Sequence, residues 1–95
     1  MIDFAGYSYA ENKATIVCTH VLNGGPVLVF VHDGDGDVQF MCGGSGHDAD
    51  DAYVVELSHM LEHIRSMPDI PVVEPGFMAE RSEPGAPWSI HSVDE

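Results

Sequence analysis

Positive charge is the feature this sequence has least of. Lys and Arg together number 3 among 95 residues, while Asp and Glu number 16, and the formal net charge is -13. Proteins that bind the phosphate backbone of DNA or RNA need clustered cations. The excess of acidic over basic residues therefore excludes nucleic-acid binding from the predicted functions. Docking on anionic membrane lipids is excluded for the same reason.

Long apolar runs are missing as well. The longest uninterrupted run, residues 27–31, is far shorter than the ~20 residues that a membrane-spanning helix needs. Residues 1–4 carry neither a basic segment nor a long apolar stretch, and we therefore expect no secretion signal. Together these two absences predict a cytoplasmic protein that does not bind membranes.

Cysteine is scarce, since Cys18 and Cys42 are the two in the chain. In a reducing cytoplasm the simplest interpretation is two buried thiols that act as small apolar side chains. A zinc site is the alternative, because two thiolates and two imidazoles satisfy tetrahedral zinc, and the candidate ligands are Cys18, His20, Cys42 and His47. Residues 18 and 20 share a face if they lie on a strand, but the spacings differ from those of zinc ribbons and fingers.

The balance of 44% apolar and 20% charged residues is that of a globular chain, and we predict one α+β domain over residues 1–95. Its predicted core is an antiparallel sheet of three to five strands with one main helix packed on one face. The predicted strands cover residues 14–22, 26–32, 37–42 and 76–81. Asp-Gly-Asp-Gly at residues 33–36 predicts a hairpin turn, and residues from about 90 to 95 are expected to fray.

The main helix is predicted from about residue 49 to residue 66. An apolar stripe with spacings of 3, 4 and 3 supports it, formed by Val54, Leu57, Leu61 and Ile64. His59 and His63 fall opposite this stripe, although with Glu62 they match the H-x-x-E-H motif of inverted zinc proteases. We interpret them as a solvated pair without a surrounding cleft, and we predict no catalytic residue.

Aspartate is concentrated in two segments that both flank residues 38–46. The six residues are Asp33, Asp35, Asp37, Asp48, Asp50 and Asp51. If the two segments meet, they form one acidic edge, which would attract a basic protein partner and speed its association. The alternative interpretation is an acidic surface that only keeps the protein soluble.

A series of short motifs runs in a recognisable order over residues 18–88. They are His20-Val21, Pro26-Val27, residues 35–40, Cys42-Gly43-Gly44, His47-Asp48, residues 50–52, Val54-Val55, residues 75–81 and Pro87-Trp88. This order resembles a family of small acidic bacterial proteins of unassigned function, which is similar to the single-domain immunity proteins of polymorphic toxin systems. Phe77 stands where the pattern leads us to expect tryptophan. The resemblance implies an α+β cytoplasmic binder, and it transfers no catalytic residues.

These observations together predict a non-enzymatic cytoplasmic binding protein, of immunity type, that holds a basic protein partner through the six aspartates. The alternative prediction is a small zinc-binding protein that uses the two cysteines with His20 and His47, and zinc is then its one cofactor. A third possibility is a structural domain that serves as a subunit of a larger assembly. The metal content of the purified protein separates the second prediction from the other two.

Overall fold

Eight strands form a hairpin and a six-stranded sheet across residues 1–43 and 52–93, which the computed structural model describes. β1 (Ile2–Phe4) and β2 (Tyr7–Tyr9) make up the antiparallel hairpin. The sheet contains β3 (Ala14–Cys18), β4 (Val29–His32), β5 (Val38–Met41), β6 (Ala52–Glu56), β7 (Phe77–Glu80) and β8 (Ser89–Ser92). The α+β class and the mostly antiparallel sheet are confirmed, but the predicted number of strands is too small.

The strand order in the sheet is β6-β3-β5-β4-β7-β8. β3 and β5 run parallel, with Val17 opposite Phe40, whereas the other neighbouring pairs are antiparallel. The predicted antiparallel pairing is wrong for β3 and β5, which are parallel neighbours, because β5 lies between β3 and β4 in the sheet. The predicted β4–β5 hairpin is confirmed, and the Asp33 N–H donates to the Asp37 carbonyl over 2.8 Å.

The helices are short. α1 (Thr19–Leu22) follows β3 directly, and α2 (Leu61–Arg65) follows a 3-10 turn (Leu57–Met60). The predicted helix over residues 49–66 is therefore wrong for 52–56, which form β6, while 49–51 lie outside the described residues. The β-branched pair at 54 and 55 favours a strand, and the ladder with β3 stabilises that choice.

The core lies between one face of the sheet and the segments that cover it. Phe4 packs edge-on against Phe30 with ring centres 4.8 Å apart, and Phe30 lies 5.3 Å from Phe40. Leu57 is fully buried in this cluster, and Leu61 and Ile64 pack against it with partial exposure. Val54, by contrast, is 71% exposed, so the four residues of the predicted stripe do not share one buried face.

The C-terminal part of the described chain is a strand rather than a frayed end. β8 pairs with β7, and the Val93 N–H donates to the Gly76 carbonyl over 3.0 Å. The expected fraying from about residue 90 therefore differs from the structure up to residue 93. In the part of the chain described, no helix has the length and apolar character that a membrane crossing requires.

Candidate metal centre

Three of the four predicted zinc ligands lie together. The ligand atoms of Cys18, His20 and Cys42 all lie within 4.8 Å of one another. The Cys42 Sγ is 3.6 Å from the His20 Nδ1, a distance that also fits a thiol–imidazole hydrogen bond. His47, the fourth predicted ligand, lies outside the described residues.

The parallel pairing of β3 with β5 explains why the two cysteines meet. Cys18 is the last residue of β3, and Cys42 directly follows the last residue of β5. Parallel strands end at the same edge of a sheet, so both thiols reach that edge although 24 positions separate them in the sequence. The convergence is therefore a consequence of topology rather than of local spacing.

His20 reaches the same place through α1. The predicted placement of residues 18 and 20 on one face of a strand is wrong, because the strand ends at Cys18 and the helix begins at Thr19. The tight turn of the helix brings the imidazole back toward the strand end. The three candidate residues therefore lie together, although the local geometry from which this was predicted is wrong.

Two glycines hold the chain around this site, and neither is among the predicted site residues. The Gly25 N–H donates to the His20 carbonyl over 2.8 Å, and a Cβ at Gly25 would lie 2.6 Å from that same oxygen. Gly43, directly after Cys42, has a φ of 71°, a left-handed conformation that glycine adopts without steric cost. A Gly-Gly-Pro sequence after the apolar run was the available signal for the first of them.

The three ligands differ in burial. Cys18 is 2% exposed, Cys42 is half-buried, and His20 is exposed. The cluster therefore lies at the edge of the protein, with one thiol anchored in the core and the imidazole facing solvent. Two sulfurs and one nitrogen form a soft donor set, which suits zinc and disfavours the hard cations Mg²⁺ and Ca²⁺.

The predicted acidic edge is described only in part. Asp33, Asp35 and Asp37 lie at the β4–β5 turn, whereas the other three, Asp48, Asp50 and Asp51, lie outside the described residues. The Lys13 Nζ contacts the Asp37 carboxylate at 3.0 Å, and the Gln39 amide donates to the Asp33 carboxylate over 3.0 Å. The Asp35 carboxylate accepts from the Asp37 N–H over 3.2 Å, so a neighbouring group contacts each of the three described carboxylates.

His59 and His63 do not form the solvated pair that the helical pattern predicted. His59 is exposed in the 3-10 turn, but His63 is half-buried, and its Nε2 lies 3.0 Å from the Val21 carbonyl. A carbonyl oxygen only accepts, so the Nε2–H of His63 is the donor. This histidine therefore connects α2 to α1, a contact between distant segments that the local pattern did not indicate.

The chain was compared with protein-family models, curated proteins and solved structures, and nothing matches it in any of the three. The resemblance to immunity proteins therefore stays a prediction.

Proposed function

We propose that the protein binds one zinc ion through Cys18, His20 and Cys42. The observation that carries this proposal is the 3.6 Å between the Cys42 Sγ and the His20 Nδ1. Tetrahedral zinc, with Zn–S near 2.3 Å and Zn–N near 2.0–2.1 Å, needs about 3.6 Å between a sulfur and a nitrogen ligand. The ligand atoms of the three residues all lie within 4.8 Å of one another. No pair of them is therefore more than about 1 Å further apart than the ideal spacing of two sulfur ligands on zinc, about 3.8 Å.

Charge supports the same assignment. Two thiolates and one neutral imidazole carry a charge that a divalent cation cancels, so the ion removes the repulsion between the sulfurs. The net charge of -13 also attracts cations to the surface over longer range. An ion at this place joins the ends of β3 and β5 to α1, and its binding free energy adds to the stability of the folded state.

Three ligands from the described residues leave one tetrahedral position to a fourth. His47, which lies outside the described residues, is the candidate that the sequence offers for this position, and a fourth protein ligand would make the site a closed one of the structural kind. If water takes it instead, the site is open and keeps a place for exchange or for a further ligand. A His47→Gln variant separates the two, because a closed site loses affinity while an open one keeps it.

Native mass spectrometry of the chelator-treated protein with added zinc tests the proposal. We expect one zinc per chain in the wild type and loss of that ion in Cys18→Ser, His20→Gln and Cys42→Ser. His59→Gln is the matched control, since His59 is exposed and lies outside the cluster. Wild-type protein that binds no zinc would overturn the proposal, and so would equal binding by the His20 and His59 variants.

A second candidate function is the binding of a basic protein in the cytoplasm through the acidic edge. The net charge of -13 and the three aspartates of the β4–β5 turn support it. Asp37 directly precedes β5 and Cys42 directly follows it, so the described aspartates of the edge and this cysteine lie at opposite ends of one strand. Either one can therefore fail without the other.

Partner capture from cell lysate at low and high salt tests this second candidate. We expect four Asp→Asn changes, at Asp33, Asp35, Asp50 and Asp51, to remove salt-sensitive partners. The charge-matched control carries four Glu→Gln changes at exposed positions elsewhere: Glu11, Glu56, Glu74 and Glu83. If both variants lose the same partners, or neither loses any, the acidic edge is only a solvated surface.

A further inference from the structure

A cleft of about 470 Å³ lies beside α2 and the turn that follows α1. Glu62, His63 and Ser66 line it from the α2 side, and Arg81 lines it from the segment after β7. The three ligands of the proposed metal centre are not among the residues that line this cleft. It is therefore a separate candidate site.

Arg81 is a buried cation in a chain that contains only three. Its side chain is 5% exposed, and the guanidinium carbon lies 4.2 Å from the centre of the Trp88 ring. Its Nη1 reaches the half-exposed Asp69 carboxylate at 3.4 Å, while its Nε is buried without a hydrogen-bond partner among the described residues. A buried charge is costly unless its donors are paired, so this guanidinium has room for another acceptor.

His63 contributes a hydrogen-bond acceptor to the same cleft. Its Nε2–H donates to the Val21 carbonyl, which leaves the Nδ1 of the neutral ring as an acceptor. This Nδ1 is also buried without a partner among the described residues. Two of the residues that line the cleft, Arg81 and His63, therefore each have one buried nitrogen without a partner among the described residues, a donor on Arg81 and an acceptor on His63.

We propose that this cleft binds a small molecule carrying one oxyanion group and a neighbouring hydroxyl. The oxyanion accepts from the Arg81 guanidinium, and the hydroxyl donates to the His63 Nδ1. A hydroxy-carboxylate and a monoanionic phosphate group both have this chemistry. The Glu62 carboxylate at the cleft repels further negative charge, so singly charged ligands are favoured.

Binding requires a small rearrangement. The Arg81 Nε and the His63 Nδ1 are both covered by protein atoms, so the ligand displaces the side chains above them. Part of the interaction energy is spent on that displacement. We therefore expect millimolar affinity for small probes rather than micromolar.

Fluorescence of Trp88 reports directly on this site, because it is the single tryptophan of the chain and it stacks on Arg81. We would titrate the protein with lactate, propionate, phosphate and chloride at constant ionic strength. Lactate and phosphate should give saturable changes, and propionate, which lacks the hydroxyl, should bind more weakly than lactate. Whether lactate or phosphate saturates the site at the lower concentration shows whether the oxyanion is a carboxylate or a phosphate.

Two variants and one control identify the residues responsible. Arg81→Met should weaken lactate binding about 10-fold or more, and His63→Leu should abolish the preference for lactate over propionate. Arg65→Met is the control, because Arg65 is exposed and does not line the cleft. If Arg81→Met proves unstable, Arg81→Lys takes its place, because it keeps the charge but loses the planar guanidinium; it should also weaken lactate binding.

The result that overturns the proposal is a wild-type response no different from that to chloride. Equal weakening by the Arg65 and Arg81 variants would overturn it as well, since the effect would then be one of general charge. The titrations are run on zinc-free and zinc-loaded protein. Failure of the metal centre to bind zinc therefore leaves the result for the cleft intact.

Discussion

Val17 lies opposite Phe40 in the parallel ladder between β3 and β5, and this pairing positions the two cysteines of the proposed metal centre. Both residues are fully buried, so the register is held by the core itself. One residue beyond Val17 and two beyond Phe40, the chain reaches the two cysteines. The stability of the core and the geometry of the site are thus coupled through one pair of strands.

Gly25→Ala should destabilise the protein and weaken zinc binding. The added Cβ would lie 2.6 Å from the His20 carbonyl, which is backbone and cannot move away without shifting α1. We expect a loss of about 1–3 kcal/mol in the free energy of unfolding, measured by denaturant titration. Gly34→Ala is the control, since nothing lies within 4 Å of a Cβ there. Equal effects of the two changes would contradict this view of how α1 is held.

The substitutions Leu57→Ala and Val54→Ala should lower the free energy of unfolding by very different amounts. Leu57 is fully buried, and its truncation should lower the free energy of unfolding by about 2–5 kcal/mol. Val54 is 71% exposed on β6, and its truncation should cost less than about 0.5 kcal/mol. A single buried helical stripe would instead make both changes costly, so similar losses would favour the helix over the strand.

Stability should fall at high pH because of Tyr9. Burial, with a smaller contribution from the nearby Tyr7, raises the pKa of Tyr9 to about 12 from its ordinary value of 10.0. Between these values the folded protein keeps the phenol proton and the unfolded chain loses it, so stability decreases as pH rises through that window. The expected loss is up to about 3 kcal/mol.

Denaturant unfolding at a pH of about 9 and of about 11.5 measures this decrease, and Tyr9→Phe is the reference. The variant has no phenol to titrate at position 9, so its stability should decline less than that of the wild type. Other groups that titrate in this range act on both proteins and cancel in the comparison. Equal declines would show that the phenol of Tyr9 is not protected in the folded state.

Much of the sheet was predictable because its signals are local. The Asp-Gly-Asp-Gly turn and the apolar run before it identify the β4–β5 hairpin, and both are properties of adjacent residues. The helix over residues 49–66 was not predictable in the same way. Spacings of three and four suit a helical stripe, yet β6 pairs with β3 over five positions, and that long-range ladder overrides the local pattern.

Local sequence patterns were limited in the same way for the candidate sites. Residue chemistry alone pointed to Cys18, His20 and Cys42, because thiols and imidazoles are what zinc prefers. Their convergence depends on a parallel pairing between strands far apart in the sequence, which no local spacing reveals. Arg81 is not among the residues that the sequence indicated, because its burial and its contact with Trp88 arise only from the tertiary fold.

Cobalt substitution tests the proposed metal centre most directly, since Co²⁺ occupies zinc sites and its absorption reports both geometry and thiolate ligation. We expect the tetrahedral d–d bands and a thiolate-to-cobalt charge-transfer band in the wild type. Cys18→Ser and Cys42→Ser should each reduce the charge-transfer band by about half or abolish it, as expected for two sulfur ligands. His59→Gln should leave the spectrum unchanged. A wild-type spectrum of hydrated cobalt, or a charge-transfer band that survives both cysteine substitutions, would contradict the account.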